Sequence, residues 1–212
     1  MKLNAAQTAL KYIKDNQIVG VGTGSTVQIF IEQLATIKHK IAGAVASSTA
    51  TANQLQELQI PILDFNSIAE LPIYIDGADA YNNLKQLVKG GGGALTREKI
   101  LAYASQEFIC MVDASKQPSV LGKFPVAVEV LPIARSQVAR TLVKLGGQPQ
   151  YREHYVTDNG NIILDVYGWE IMQPIELEQK INQIPGVVSN GIFAVRGADV
   201  IIVGDQYGTT IL

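Results

Sequence analysis

The residues best suited to chemistry lie in one stretch, Lys89-Gly90-Gly91-Gly92-Gly93-Ala94-Leu95-Thr96-Arg97-Glu98-Lys99-Ile100. Four consecutive glycines leave the backbone bare, so its N–H groups can approach a ligand with no side chain between. Lys89 opens the run as a cation. Glu98 closes it inside the first turn of an expected helix, for which Ile100, Leu101, Tyr103 and Ala104 supply apolar spacing and Thr96 is the candidate N-cap. A cation, a donor-rich loop and one carboxylate suit proton abstraction next to a carbonyl on an anionic substrate. The competing reading is a flexible linker before a helix whose acid merely complements the macrodipole. Apolar residues on both sides (Gln86-Leu87-Val88 before, Leu95 after) and the lack of polar low complexity weigh against it.

Three further groups sit where apolar runs end. In Val19-Gly20-Val21-Gly22-Thr23-Gly24-Ser25-Thr26, a strand passes through a glycine turn into a helix, a place that often holds phosphate. It lacks the Gly-Lys-Ser/Thr ending of a P-loop. As a dinucleotide fingerprint it has Ser25 at the third glycine position, and the next strand ends in Ser47-Ser48-Thr49 with no acid for a ribose hydroxyl. A terminal phosphate fits Thr23, Gly24, Ser25 and Thr26 better; a plain tight turn is the alternative. Asp76 and Asp79 flank Gly77 and Ala78 after an apolar strand, where two carboxylates could bind sugar hydroxyls, move protons, hold a divalent metal (ranked third, as no histidine accompanies them) or simply cap the strand end. Asp113 and Lys116 form a similar group, and Lys116 could place a charge near phosphate.

The elements that must position these groups alternate. Helical spacing over 5–14 precedes a strand at 18–21 and a helix carrying Val27, Phe30, Ile31 and Leu34. A strand at 41–46, a helix at 52–58, strands at 60–63 and 73–75, the helix after the glycine loop and a strand at 107–112 follow. Such alternation, with polar residues crowding the strand ends, predicts an open Rossmann-like, mostly parallel α/β sheet with helices on both faces and ligands beyond the carboxyl ends of its strands. From 127 the pattern changes. A strand at 128–131, a helix at 135–145, a hairpin of 151–157 and 161–166 around Asp158-Asn159-Gly160, a helix at 174–184 and a strand at 187–195 spell β-α-β-β-α-β, the ferredoxin-like α+β plan. The expected division is therefore residues 1–126, with 198–212 returning to the first sheet, and a smaller domain at 127–197.

Bulk properties narrow the function. The 212 residues can bury a sizeable core, and a net charge of −2 without a basic block argues against nucleic acid. No secretory leader and no apolar run of about 18 residues is visible, so membrane association is not expected and the cytoplasm is the expected compartment. Cys110, the only cysteine, lies in an apolar run and reads as a buried thiol. His39 and His154 have no metal-ligand spacing.

The segments Gly-Val-Gly-Thr-Gly-Ser-Thr (20–26), Asp-Gly-Ala-Asp (76–79), Lys-Gly-Gly-Gly (89–92) with Ala-Leu-Thr-Arg-Glu-Lys-Ile (94–100), and Asp-Ala-Ser-Lys (113–116) resemble ribose-5-phosphate isomerase of the A type. So do Leu-Gly-Lys-Phe-Pro (121–125), Val-Glu-Val-Leu-Pro (128–132) and Gly-Ala-Asp-Val (197–200), so the match runs the length of the chain. The resemblance implies interconversion of ribose 5-phosphate and ribulose 5-phosphate through an enediol, with no metal or organic cofactor. Glu98 matches the proton acceptor, Thr23–Thr26 the phosphate-side loop, Asp76–Asp79 and Lys89–Gly92 the substrate-binding segments, and Lys116 a further contact. Lys2 is a weaker match to a phosphate contact. Members are usually homodimers, sometimes tetramers, and the small domain is credited with assembly. Two departures stand out: Ala80 where glutamate is common, and Gly93 where alanine is common.

Overall fold

The computed structural model describes residues 1–117 and 120–212. In chain order the first elements are α1 (Lys2–Ala9), β1 (Ile18–Val21), α2 (Ser25–Ala35), β2 (Gly43–Ala46), α3 (Thr49–Glu57), β3 (Leu71–Gly77), β4 (Ala80–Tyr81), β5 (Leu87–Val88), α4 (Leu95–Ala104) and β6 (Ser105–Asp113). Then follow β7 (Val126–Val130), α5 (Arg135–Lys144), β8 (Gln148–Tyr151), β9 (Ile162–Tyr167), α6 (Pro174–Asn182), β10 (Val187–Asn190), β11 (Ile192–Phe193), β12 (Val200–Gly204) and β13 (Thr209–Ile211). They form two compact units. Met1–Gly77, Arg97–Ser115 and Ala198–Leu212 make the first, Ala78–Thr96 and Lys116–Gly197 the second. This division differs from the one expected from pattern alone, because residues 78–96 and 116–126 group with the second unit. The pairing of β5 with β11 and the Leu121–Ile171 bridge draw them there.

The first unit is built on a six-stranded sheet in the order β13-β12-β6-β3-β1-β2, parallel except for β13. Its central strands read as continuous apolar runs because both faces are covered. Val19, Val21, Ile73, Ile75, Ile109 and Met111 meet Phe30, Ile31 and Leu34 of α2 and the small Ala5, Ala6 and Ala9 of α1. Cys110 is fully buried on β6. The 198–204 run joins this sheet as β12, parallel to β6. The strand expected at 60–63 shrinks to a single bridge between Ala44 and Ile62; Pro61 in its middle has no N–H to extend a ladder. After β1 the chain crosses to β2 on one side, and β3 returns to the other. The carboxyl ends of β1 and β3 therefore form the point where strand order reverses, the place where such sheets bind ligands.

In the second unit β7, α5, β8, β9, α6 and β10 realise the ferredoxin-like plan as an antiparallel sheet β10-β7-β9-β8. Val126, Val128, Val130, Ile162, Leu164 and Val166 pack with Val138, Leu142 and Ile181 from the helices. Two expected strands change. The ladder of β8 ends at Tyr151, and 152–161 is a loop closed by Thr157 N–H to Asn161 O at 2.9 Å. The expected strand at 187–195 breaks at Gly191 into β10 and β11, which belong to different sheets. Only glycine fits at the break, since a Cβ on Gly191 would stand 2.1 Å from the Lys89 carbonyl oxygen. A small third sheet, β11-β5-β4, was not expected. Among the described residues no helix is long and apolar enough to cross a membrane.

Candidate active site

In the first unit the switch point is occupied by Asp76, fully buried at the end of β3. Its Oδ1 accepts the Gly77 N–H at 2.7 Å and the Thr23 N–H at 3.1 Å, and its Oδ2 accepts the Tyr74 hydroxyl in a short bond. Gly22 is obligatory, since a Cβ there would lie 1.9 Å from the Asp76 carboxyl group. Around the turn the hydroxyls interlock. Thr23 Oγ1 is 2.8 Å from both Ser47 Oγ and Ser48 Oγ, and Thr51 Oγ1 donates to the Gly22 carbonyl at 2.7 Å. Ser48 also caps α3 by accepting the Thr51 N–H. Gly24 takes φ +120° as N-cap of α2, which opens with Ser25 and Thr26. Lys2 Nζ donates to Ser25 Oγ at 2.7 Å, so a cation stands at that helix N-terminus.

Tyr74, which reads in the sequence as one more apolar strand residue, is fully buried and stacks at 5.1 Å on Phe108. Burial pushes its phenol well above the usual range, and the charges of Asp76 and then Glu98 push the same way. Glu98, buried in the first turn of α4, therefore lies within electrostatic reach of the Tyr74 hydroxyl.

In the second unit the antiparallel pairing of β4 and β5 sets Ala80 against Val88, so Asp79 and Lys89, each one step further on, are neighbours. Asp79 donates its N–H to Val88 O at 2.9 Å and accepts the Gly91 N–H on Oδ2 at 2.8 Å. Asn82 closes the intervening turn by accepting the Leu84 and Gln86 N–H groups. Lys89 is buried, with Nζ 5.5 Å above the centre of the Phe193 ring. Its N–H is fixed by Gly191 O at 2.8 Å. Gly90 and Gly93 take φ of +105° and +82°, and Gly93 N–H turns back on Gly90 O at 2.9 Å. Thr96 is not the N-cap: α4 starts one residue earlier, and the Thr96 hydroxyl donates instead to Glu129 in a short bond. Fully buried Glu129 also accepts from Thr157 (2.8 Å), Asn161 (2.8 Å) and Asn159 (3.1 Å).

The fold thus gathers Thr23–Thr26, Asp76, Gly77 and Glu98 in the first unit, and Ala78, Asp79, Lys89 and Gly90–Gly92 in the second. Lys116 ends a 3-10 turn after β6 and is half-exposed. Sequence reasoning missed Tyr74, Glu129, Arg152 and Tyr155. Only the partners that the fold gives these side chains reveal them. Among the described residues no group of three or more His, Cys, Asp and Glu side chains converges as metal ligands would.

Residues 43–208 match the family model of ribose 5-phosphate isomerase A (phosphoriboisomerase A). Ribose-5-phosphate isomerase A of Legionella pneumophila (strain Corby) is 57% identical over 208 residues, 98% of this chain and 96% of that protein. The crystal structure of ribose 5 phosphate isomerase A from Neisseria gonorrhoeae superposes with a TM-score of 0.97 at 46% identity, over 100% of this chain and 95% of that one. A D-ribose-5-phosphate isomerase solved in complex with phospho-erythronic acid gives 0.94 at 36% identity, over 100% and 96%. Fold and relatives together define an aldose–ketose isomerase. The chain belongs to the ribose 5-phosphate isomerase A family.

Proposed function

We propose that this chain interconverts D-ribose 5-phosphate and D-ribulose 5-phosphate through an enediol, as the aldose–ketose step of the non-oxidative pentose phosphate pathway. The observation that carries the reading is buried Glu98, in the first turn of the helix into which the glycine loop runs. Glu98 takes the proton from C2 and returns it to C1. Lys89 and a main-chain amide of the Gly90–Gly92 loop stabilise the oxygen that gains charge, a contribution of a few kcal/mol by analogy with single oxyanion donors. The phosphate is held by Thr23–Thr26 at the start of α2, where Lys2 on Ser25 adds positive charge. Lys116 is a further substrate contact. Asp76, held by three donors, moves the hydroxyl proton that opens the furanose ring, the anomeric hydroxyl losing a proton as the ring oxygen gains one. Gly77, Ala78 and Asp79 line the sugar. The relative bound to phospho-erythronic acid supports a four-carbon phosphorylated acid as a mimic of the substrate.

No cofactor is required in this scheme. The protein acts in the cytoplasm as a homodimer or tetramer, with the ferredoxin-like region at 127–197 serving assembly; exposed Ile133 and Met172 on that region support this. The deciding experiment follows isomerisation of ribose 5-phosphate in the presence of EDTA. The wild type keeps its rate, and Glu98→Gln loses about 10³-fold in kcat, within what a positioned base contributes, while still binding substrate. Full activity in that variant would remove Glu98 from the mechanism, and a rate abolished by EDTA would remove the cofactor-free scheme.

A further inference from the structure

Three consecutive carbonyls of the glycine loop are held by two side chains of the second unit. Arg152 donates from Nη2 to Gly90 O at 3.2 Å and from Nη1 to Gly91 O at 3.3 Å. Tyr155 donates its hydroxyl to Gly92 O at 3.1 Å. The guanidinium is itself fixed by a bidentate pair with Asp165, Nη2–Oδ1 at 2.6 Å and Nε–Oδ2 at 2.8 Å. Its backbone N–H is tied to Ile163 O at 3.0 Å, and its head lies 5.3 Å from the centre of the Tyr155 ring. Gly93 belongs to the same device: a Cβ there would stand 2.0 Å from the Tyr155 hydroxyl oxygen. The bare Gly93 is thus what admits Tyr155.

In a trans peptide unit the carbonyl and the N–H point to opposite sides. Fixing the carbonyls of residues 90, 91 and 92 therefore fixes the N–H groups of 91, 92 and 93. Two of these are turned inward, Gly91 N–H to Asp79 Oδ2 and Gly93 N–H to Gly90 O. The third, on exposed Gly92, has no acceptor among the described residues. A loop of four glycines would otherwise sample many orientations of that one donor. We propose that Arg152 and Tyr155 are positioning residues for the isomerisation, which hold the glycine loop so that the Gly92 N–H is presented to the substrate oxygen gaining charge. This rests on the isomerase reading above.

The test compares wild type, Tyr155→Phe and Arg152→Lys by kcat and KM for ribose 5-phosphate. Inhibition constants are measured for phospho-erythronate, whose carboxylate mimics the enediolate, and for inorganic phosphate. Removing one hydrogen bond lowers kcat about fivefold in Tyr155→Phe; replacing the two-pronged guanidinium by an ammonium lowers it about tenfold or more in Arg152→Lys. Phospho-erythronate weakens by about the same factors, whereas KM and the inorganic phosphate constant hold. Unchanged kcat in both variants overturns the proposal. So does a loss of kcat with equal weakening of inorganic phosphate, which marks general loosening. An inactive wild type overturns the isomerase reading itself, so the two failures are told apart.

Discussion

The turn after β1 and the glycine loop after β5 both present main chain to a ligand, yet they are held in opposite ways. Around Gly22–Thr26 the sheet does the positioning. Strand ends lie side by side, Asp76 receives N–H groups from its own strand and the next one, and Ser47, Ser48 and Thr51 from the end of β2 and the start of α3 complete the set. The glycine loop has no such neighbour in register. Its carbonyls are caught by Arg152 and Tyr155, and the helix it opens is tethered through Thr96 to Glu129. A strand-end site inherits its rigidity from the ladder, whereas a glycine loop must be given rigidity by side chains far along the chain.

The sharpest way to break the first arrangement is Gly22→Ala. Its Cβ would enter the Asp76 carboxyl group, and Asp76 is fully buried with no room to retreat. A loss of about 3 kcal/mol of stability or more is expected from the overpacking, with kcat falling by orders of magnitude, measured by urea denaturation and isomerase assay. A fully active, stable Gly22→Ala would show that Asp76 is not locked by the turn. The equivalent blow to the second arrangement is Glu129→Gln, which keeps the shape but sets an amide donor among four donor groups. About 2 kcal/mol is expected to be lost through unsatisfied buried groups. Because Thr96 lies two residues before Glu98, kcat falls with it, by about tenfold. Unaltered unfolding and turnover would detach the Glu129 cluster from α4.

The same contrast governs what the sequence disclosed. The 20–26 turn, the 76–79 turn and the α2 N-terminus were legible because each is a local event: an apolar strand ends and a polar turn begins. The glycine loop was legible as a loop, and α4 as a helix. What held them was not. Arg152 and Tyr155 fell in a stretch patterned like a strand, yet it is a loop because its side chains reach residues about sixty positions away. Thr96 looked like a cap because nothing local betrays a partner at position 129. The hairpin that brings Asp79 beside Lys89 is made of strands of two residues each, too short to leave a periodicity.

Tyr74 offers the finest probe of the strand-end site, because removing its hydroxyl leaves the ladder intact. Tyr74→Phe takes one donor from a buried carboxylate and is expected to cost about 1.5 kcal/mol at pH 8. The pH dependence carries more information than the size. Burial, and then the charges of Asp76 and Glu98, raise the native phenol above its ordinary range. Above about pH 10 the unfolded chain releases this proton while the native chain keeps it. The unfolded state then binds fewer protons, so wild-type stability falls as pH rises through that window. The phenylalanine variant lacks this contribution, and its deficit relative to wild type should shrink between pH 8 and pH 10.5 when both are unfolded in urea. A deficit that stays constant across that range would mean that the native phenol ionises in its ordinary range, with neither burial nor the charges of Asp76 and Glu98 holding its proton.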